Sequence, residues 1–185
     1  NYRVPPELSV FDLPGVLWAG ARSADVILVE FFDYNCPYCY KAERELLAIL
    51  RRDKNLRLGL INNSILSAGS YQAARVQQSV LRLYGPHKAL SFHNKLYRRR
   101  GRKDGLTALS VAKLMKLDAK AIEKSGDSEA VGSVLAQQVR LASALGFIAT
   151  PSFVMNGVGM LGYPGRKALT GMIAAVRKCD KLVCT

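Results

Sequence analysis

Two cysteines separated by two residues are the clearest candidates for chemistry in this sequence. Cys36 and Cys39 lie in the segment FFDYNCPYCY, which spans residues 31–40 and overlaps the end of an apolar run. Two thiols at this spacing can hold a metal ion, close a structural disulfide, or exchange electrons with another pair of thiols. The surrounding residues favour one of these uses.

The position of Cys36 favours electron exchange. The apolar run before it is typical of a buried strand, and the residues after Cys39 have helical spacing, so Cys36 stands where a helix begins. Unpaired N–H groups and the helix dipole stabilise a thiolate there, and Pro37 suits the first helical position. We therefore predict that Cys36 is an exposed thiol whose pKa lies below the free value of about 8.5. Cys39, one turn later, is predicted to be its shielded partner.

The other uses of the pair have less support. A zinc site needs four ligands, and the two histidines, His87 and His93, provide no second pair at ligand spacing. Both histidines are predicted to be ordinary helix residues. A purely structural bridge is a second alternative. A rival of another class is a protein that sequesters copper(I) through Cys36 and Cys39, because soft thiolates bind that ion.

A single acid interrupts the apolar run before the cysteines. Glu30 stands six residues before Cys36, within Val26–Phe32. A buried carboxylate is costly unless it is paired or takes part in chemistry. We interpret Glu30 as a proton acceptor for Cys39 during exchange, and the alternative is a structural acid in a salt bridge.

A proline precedes the strand pattern near the C-terminus. Thr150 and Pro151 follow a helical pattern that ends near Gly146, and apolar strand residues follow them. A cis peptide bond at Pro151 would bring this segment beside the cysteines. A trans proline at the start of a strand is the alternative.

The elements that position these residues follow from hydrophobic periodicity. Val26–Phe32 and residues 56–60 have the patterns of strands, and residues 152–155 and 159–163 flank a hairpin signal at Asn156-Gly157. Helices are predicted at 71–84, 86–98, 106–117, 119–124, 129–145 and 168–176. This order predicts an α/β chain with an N-terminal half (1–68), an inserted helical domain (69–146) and a C-terminal half (147–185).

Charge and hydropathy bear on the partners. The 185 residues include 27 Lys and Arg against 14 Asp and Glu, and the net charge of +13 favours anionic partners or surfaces. The densest cluster, Arg98–Lys103, is predicted to be a solvated loop, because no nucleic-acid-binding motif accompanies it.

No apolar run reaches 18 residues, the length that a membrane span requires. No leader precedes Asn1, so we expect either a cytosolic chain or the mature form of an exported one.

A second pair of cysteines, Cys179 and Cys184, brackets the end of the last helical pattern. Two close pairs fit an oxidising compartment. We predict a structural disulfide that ties down the C-terminal tail, which requires the helix to stop near Cys179. A second redox pair or a copper-binding pair is the alternative.

Three features in this order resemble a known family. The segment VEFFDYNCPYC, the helical block and the segment ALGFIATPSFVMNG are similar to the DsbA-like thioredoxin-fold proteins of the bacterial periplasm. The resemblance is greatest to the branch that includes ScsC, and it covers about residues 26–176. It implies a thioredoxin fold with an inserted helical domain. Cys36 would then be the attacking or attacked sulfur, and Cys39 would resolve the mixed disulfide.

The resemblance also assigns roles to the neighbouring residues. It places Pro37 and Tyr38 at the substrate-binding surface, together with Thr150 and a cis Pro151 that face the cysteines. It matches Glu30 to the buried acid of the family. In the family that this chain resembles, Thr-Pro is typical of members that reduce or shuffle disulfides rather than of dedicated oxidases.

Two departures from DsbA bear on these roles. DsbA has a His between its cysteines, where this chain has Tyr38, which adds no positive charge beside the Cys36 thiolate at neutral pH. DsbA also pairs its buried Glu with a Lys on the next strand, where this chain has no Lys at 59–63. Proton transfer to Glu30 is then expected to pass through Asn62, Asn63 or water.

The sequence therefore predicts a periplasmic thiol–disulfide oxidoreductase that exchanges disulfides with cysteine-containing exported proteins. It favours reductase or isomerase activity, with a dedicated oxidase as the alternative, and it needs no metal and no organic cofactor. The expected partners are a DsbD-like reductant or a DsbB-like oxidant, met through peripheral contact at the membrane, and no nucleic acid. Only about ten residues precede Phe11, which is short for an N-terminal association segment, so we expect a monomer.

Overall fold

The computed structural model describes residues 1–185 and contains one six-stranded sheet with six helices. The strands are β1 (Tyr2–Arg3), β2 (Leu17–Gly20), β3 (Val26–Phe32), β4 (Leu56–Asn62), β5 (Ser152–Met155) and β6 (Val158–Leu161). The helices are α1 (Pro37–Arg52), α2 (Ala68–Arg98), α3 (Gly105–Leu114), α4 (Ala119–Gly126), α5 (Glu129–Ala144) and α6 (Arg166–Cys179). The strand order across the sheet is β1-β6-β5-β3-β4-β2.

The centre of the sheet is the parallel pair β3 and β4, with β5 antiparallel to β3 and β2 antiparallel to β4. Both central strands are buried on both faces, which explains their nearly continuous apolar sequences. Side chains alternate along β3, so Leu28, Glu30 and Phe32 share one face while Val29 and Phe31 share the other. Leu28 and Phe32 belong to the larger core cluster, which also contains residues of α1, α2 and α6.

The helical block α2–α5 lies between β4 and β5, in agreement with the predicted α/β order. The helices predicted at 71–84 and 86–98 are the two halves of α2. Gly85 interrupts α2 with φ 84° and ψ 175°, and Pro86 restarts the helix. None of the six helices combines the length and the apolar character needed to cross a membrane.

Two strands were not predicted from the sequence. β1 has two residues and β2 has four, which is too short for an alternating pattern to stand out. β2 is held by its pairing with β4 and by Trp18, whose ring lies 4.4 Å from the guanidinium carbon of Arg57. β6 also ends two residues earlier than the prediction of 159–163.

A disulfide joins Cys179 to Cys184 at the C-terminal end of α6, with the two Cα atoms 6.0 Å apart. The helix ends at Cys179, and Asp180 has the left-handed conformation that turns the chain back toward Cys184. Asn156 donates its amide N–H to the carbonyl of Asp180 at 2.9 Å, which fixes this turn against the β5–β6 hairpin. Closing so short a loop contributes about 2 kcal/mol to the free energy of unfolding.

Candidate active site

The two remaining cysteines lie where β3 passes into α1. Cys36 is the N-cap residue of α1, and its Sγ accepts a hydrogen bond from the backbone N–H of Cys39 at 3.3 Å. Both thiols are free. Cys39 is fully buried, and Cys36 is only 5% exposed. Cys36 is thus the more exposed of the two, as predicted, but the prediction of an exposed thiol was wrong, because most of its surface is covered. Cys36 still lines an open pocket of about 630 Å³, which gives its sulfur access to a partner.

The environment gives the two thiols opposite acidities. The hydrogen bond from the Cys39 side chain, supported by the backbone N–H groups of Cys39 and Tyr38, lowers the pKa of Cys36 to about 6 against the opposing effect of burial. Burial raises the pKa of the Cys39 thiol far above its ordinary value, and its hydrogen bond to Cys36 and the charge of Glu30 act in the same direction. At neutral pH the site therefore holds one thiolate, on Cys36.

This difference predicts selective alkylation of Cys36 in the reduced protein. The rate of reaction with iodoacetamide should follow a titration with a midpoint near pH 6, the pKa of Cys36. At pH 6 about half of Cys36 is thiolate, against about 0.3% of a free cysteine, while an acidic thiolate is about tenfold less nucleophilic. Cys36 should therefore react about tenfold faster than free cysteine, as followed by peptide mass spectrometry.

Two results would test this assignment further. The Cys36→Ser variant should show no modification in the same pH range, because Cys39 remains protonated and buried. Preferential labelling of Cys39 in the unmodified sequence would contradict the assignment of the acidic thiol.

The segment before β5 contacts the nucleophile. The peptide bond between Thr150 and Pro151 is cis, as predicted. In its protonated form, the Cys36 thiol donates a hydrogen bond to the carbonyl oxygen of Thr150 at 3.2 Å. Pro37 lines the same pocket as Cys36, and the side chain of Tyr38 is 67% exposed. The structure thus places Thr150 and Pro37 next to Cys36, with Tyr38 exposed on the same helical turn.

Glu30 lies on the face of β3 that packs toward α1, and it is buried together with both of its carboxylate oxygens. Neither oxygen has a hydrogen-bond partner, and Glu30 makes no ion pair, which does not support the alternative of a salt-bridged structural acid. Burial raises the pKa of the Glu30 carboxyl well above its ordinary value, and the charges of Glu43 and Cys36 act in the same direction. An unpaired acid of raised pKa close to Cys39 is suited to accept a proton from that thiol.

The expected proton route through Asn62 or Asn63 is not present in the hydrogen-bond pattern. The side chain of Asn62 donates to Gln77 at 2.9 Å, and that of Asn63 donates to the carbonyl of Phe147 at 3.2 Å. Both amides are thus engaged away from Glu30. Neither amide therefore connects to Glu30, whose carboxylate oxygens have no hydrogen-bond partner.

A buried cluster beneath the site was missed by the sequence analysis. A hydrogen bond of 2.9 Å joins Nδ1 of His93, on α2, to the hydroxyl of Tyr34. The His93 ring also packs against Phe32 and Tyr97. Burial lowers the pKa of His93 to about 3, so the ring stays neutral at physiological pH. His93 is therefore a helix residue, as predicted, but one that supports the segment between β3 and α1 from below.

The basic cluster Arg98–Lys103 is also placed differently from the prediction. Four of its side chains are exposed, as expected for a solvated loop, but the whole segment lines the pocket that contains Cys36. We call this segment the arginine loop. No local signal in the sequence relates it to Cys36, because the two are more than 60 positions apart.

The described residues contain no group of three or more His, Cys, Asp or Glu side chains in a metal-binding arrangement. The chemistry available at the site is that of two sulfurs of unequal acidity, one buried carboxyl group, and a backbone carbonyl that faces the more acidic sulfur. Thiol–disulfide exchange uses groups of these kinds.

Comparisons with known proteins agree with this geometry. The family model described as Thioredoxin matches residues 13–175. A thioredoxin-like oxidoreductase from Silicibacter pomeroyi DSS-3 is similar, with 31% identity, a TM-score of 0.85, and coverage of 95% of this chain and 99% of that chain. No protein with a curated description matches significantly.

Two further solved structures share the fold at lower identity. The thiol-disulfide exchange protein alpha-DsbA2 from Wolbachia pipientis has 21% identity and a TM-score of 0.81, with 90% of this chain and 89% of that chain covered. The catalytic domain of Proteus mirabilis ScsC has 22% identity and a TM-score of 0.80, with 92% and 93% covered.

Proposed function

The chain belongs to the thioredoxin family, and from this premise we propose that it is a DsbA-like thiol–disulfide oxidoreductase that mainly reduces or isomerises the disulfides of exported proteins. The family and the α/β thioredoxin fold predicted from the sequence are thereby confirmed. The observation that carries the proposed direction is the acidity of Cys36, a moderately stabilised thiolate at the start of α1 beside a shielded Cys39.

In the proposed reaction the Cys36 thiolate attacks one sulfur of a substrate disulfide. A mixed disulfide forms, and the other substrate sulfur leaves as a thiolate that takes up a proton. Cys39 then loses its proton, to Glu30 in our proposal, and attacks Cys36. The second substrate thiol is released, and two electrons have passed from the enzyme to the substrate, leaving a disulfide between Cys36 and Cys39.

The acidity of Cys36 supports a reducing or isomerising direction. A more stabilised thiolate makes a stronger oxidant. DsbA, whose reactive thiol has a pKa of about 3.5, has a reduction potential of about −120 mV, and thioredoxin, whose thiol has a pKa of about 7, has one of about −270 mV. The pKa of Cys36, about 6, lies between these values and closer to that of thioredoxin. Tyr38 between the cysteines contributes no positive charge that would stabilise the thiolate further.

We therefore expect a reduction potential well below that of DsbA. Equilibration with glutathione buffers, followed by quantification of the oxidised and reduced protein, measures this value. The Cys179→Ser/Cys184→Ser variant is the control and should have the same potential. A potential at or above about −120 mV, with rapid oxidation by a DsbB-like partner, would make the protein a dedicated oxidase.

We propose that the protein acts in the periplasm as a monomer and is kept reduced by a DsbD-like membrane partner, which it contacts peripherally at the Cys36 pocket. The disulfide between Cys179 and Cys184 fits an oxidising compartment. We also propose that residues 69–146 act as a helical domain inserted between the halves 1–68 and 147–185.

A further inference from the structure

The arginine loop forms one wall of the pocket in which Cys36 lies. It connects α2 to α3, and all six of its residues line that pocket. Pro37 and Tyr40 of α1 and Leu66 also line this pocket. A chain that presents a sulfur to Cys36 through this pocket therefore meets a strongly cationic segment beside the nucleophile.

Hydrogen bonds tether the arginine loop to the residue that precedes the nucleophile. Asn35 donates its amide N–H to the carbonyl oxygen of Lys103 at 2.8 Å, and the backbone N–H of Lys103 donates to the Asn35 side-chain oxygen at 2.7 Å. Asn35 also donates to the hydroxyl of Ser70 at 3.0 Å. This reciprocal pair fixes the backbone at the end of the loop beside Cys36.

The charges of the loop are not neutralised within the chain. The three salt bridges of the structure join Arg75 to Asp127 and Arg177 to Asp25 and Asp53, and none includes the arginine loop. The charge of Arg98 acts on the pKa of Glu43, and that of Arg102 acts on the pKa of Asp104, but neither pair forms a salt bridge.

The side chains of the loop divide into exposed and buried cations. Arg98, Arg99, Arg100 and Arg102 are exposed, so their charges face the pocket and the solvent. Lys103 is largely buried, and its ammonium group donates to the carbonyl of Gly101 at 3.0 Å. The loop thus offers up to four free guanidinium groups to an anionic partner.

We propose that the arginine loop selects substrate segments in which acidic residues flank the reacting cysteine. This inference rests on the proposed function, because it concerns the substrate of the same Cys36. Guanidinium groups pair with carboxylates in two-pronged hydrogen bonds, and a cationic wall beside the reacting sulfur raises the local concentration of an acidic segment. A flexible polypeptide reaches both Cys36 and the loop, because the two share one pocket.

The test compares two peptides that differ only in charge. Each contains one cysteine capped as a disulfide with 2-mercaptoethanol, flanked on both sides by two glutamates or by two lysines. Hydroxyethyl disulfide is the small neutral reference. The rate of oxidation of the reduced protein is measured for each at low salt and at about 0.5 M salt, where the Debye length falls to a few ångströms.

The expected result is a preference for the acidic peptide. Its rate constant should exceed that of the basic peptide about tenfold or more at low salt, and the ratio should fall to about twofold or less at high salt. The variant Arg99→Glu/Arg100→Glu/Arg102→Glu should reverse the preference. The variant Lys113→Glu/Lys120→Glu/Lys124→Glu changes the net charge equally at exposed positions of α3 and α4 and should keep it.

The remaining outcomes separate this inference from the proposed function. Equal rates for the two peptides, with normal oxidation by hydroxyethyl disulfide, would overturn the substrate preference and leave the oxidoreductase intact. No oxidation by any of the three disulfides would overturn the proposed function and with it the preference. If the arginine-loop variant loses binding to vesicles of anionic phospholipid while the peptide ratio stays near one, the loop is a membrane-binding surface and the inference is wrong.

Discussion

Replacing Cys36 by serine is expected to reduce exchange to the rate measured without protein, because a hydroxyl of ordinary acidity cannot replace the thiolate. Replacing Cys39 by serine should have a different effect. Cys36 still attacks, but no second thiol resolves the mixed disulfide, so a covalent adduct of protein and substrate accumulates. Mass spectrometry after acid quenching distinguishes the two variants, since only Cys39→Ser should carry the added mass of the substrate.

The double variant Cys36→Ser/Cys39→Ser serves as the control, because it retains the disulfide between Cys179 and Cys184. It should form no adduct and catalyse no exchange. Adduct formation by this double variant would mean that the C-terminal pair reacts with substrates. An adduct on Cys39 in the Cys36→Ser variant would reverse the roles assigned to the two sulfurs.

Replacing Glu30 by glutamine is expected to slow the resolution of the mixed disulfide about 100-fold, the usual contribution of a general base. Cys39 is buried and its pKa is raised, so it needs a nearby group to accept its proton. In the unmodified protein the resolving rate should increase with pH as Glu30 ionises, and Glu30→Gln should lack this increase. Rapid acid quenching of the mixed disulfide formed by a model peptide measures the rate.

The same substitution should stabilise the fold at higher pH. The folded protein holds the proton of Glu30 above the pH at which the unfolded chain loses it, because burial raises the pKa of this carboxyl. The unmodified protein therefore loses stability as pH rises above about 4, by at most about 1.4 kcal/mol for each pH unit up to the folded pKa. Urea unfolding of Glu30→Gln should show a stability gain that increases with pH over this interval.

Glu123→Gln, at an exposed position of α4, is the matched control for Glu30→Gln and should change neither the resolving rate nor the pH dependence of stability. If Glu30→Gln resolves the mixed disulfide at the rate of the unmodified protein, Glu30 is not the proton acceptor. A stability gain without a kinetic effect would leave Glu30 as a buried acid with no part in exchange.

The parts of the site that the sequence predicted are those defined by local patterns. A continuous apolar run, a cysteine, a proline and then helical spacing predict a strand, a cap and a helix, and the structure places Cys36 and α1 accordingly. Thr150 and Pro151 were found in the same way, because a proline before a strand is a local signal. These features depend on residues within about ten positions of one another.

The parts that escaped prediction depend on contacts between distant residues. The tether between Asn35 and Lys103 joins positions 68 residues apart, and the bond between Tyr34 and His93 joins positions 59 apart. The near burial of Cys36 likewise depends in part on Thr150, which is 114 positions away. Neither periodicity nor composition contains this information, because it arises only when the sheet and the helical block pack together.

The lengths of the outermost strands have a consequence for the proposed reaction with exported proteins. The two sides of the sheet end in β1, with two residues, and β2, with four, while the seven-residue strands β3 and β4 lie inside. Unpaired backbone along an outer strand is a template onto which other extended chains add and from which aggregates grow. Under the proposed function, substrates that still lack their correct disulfides would present such extended segments. Short outer strands leave these substrates few backbone groups to pair with, which favours release of the product over aggregation with the protein.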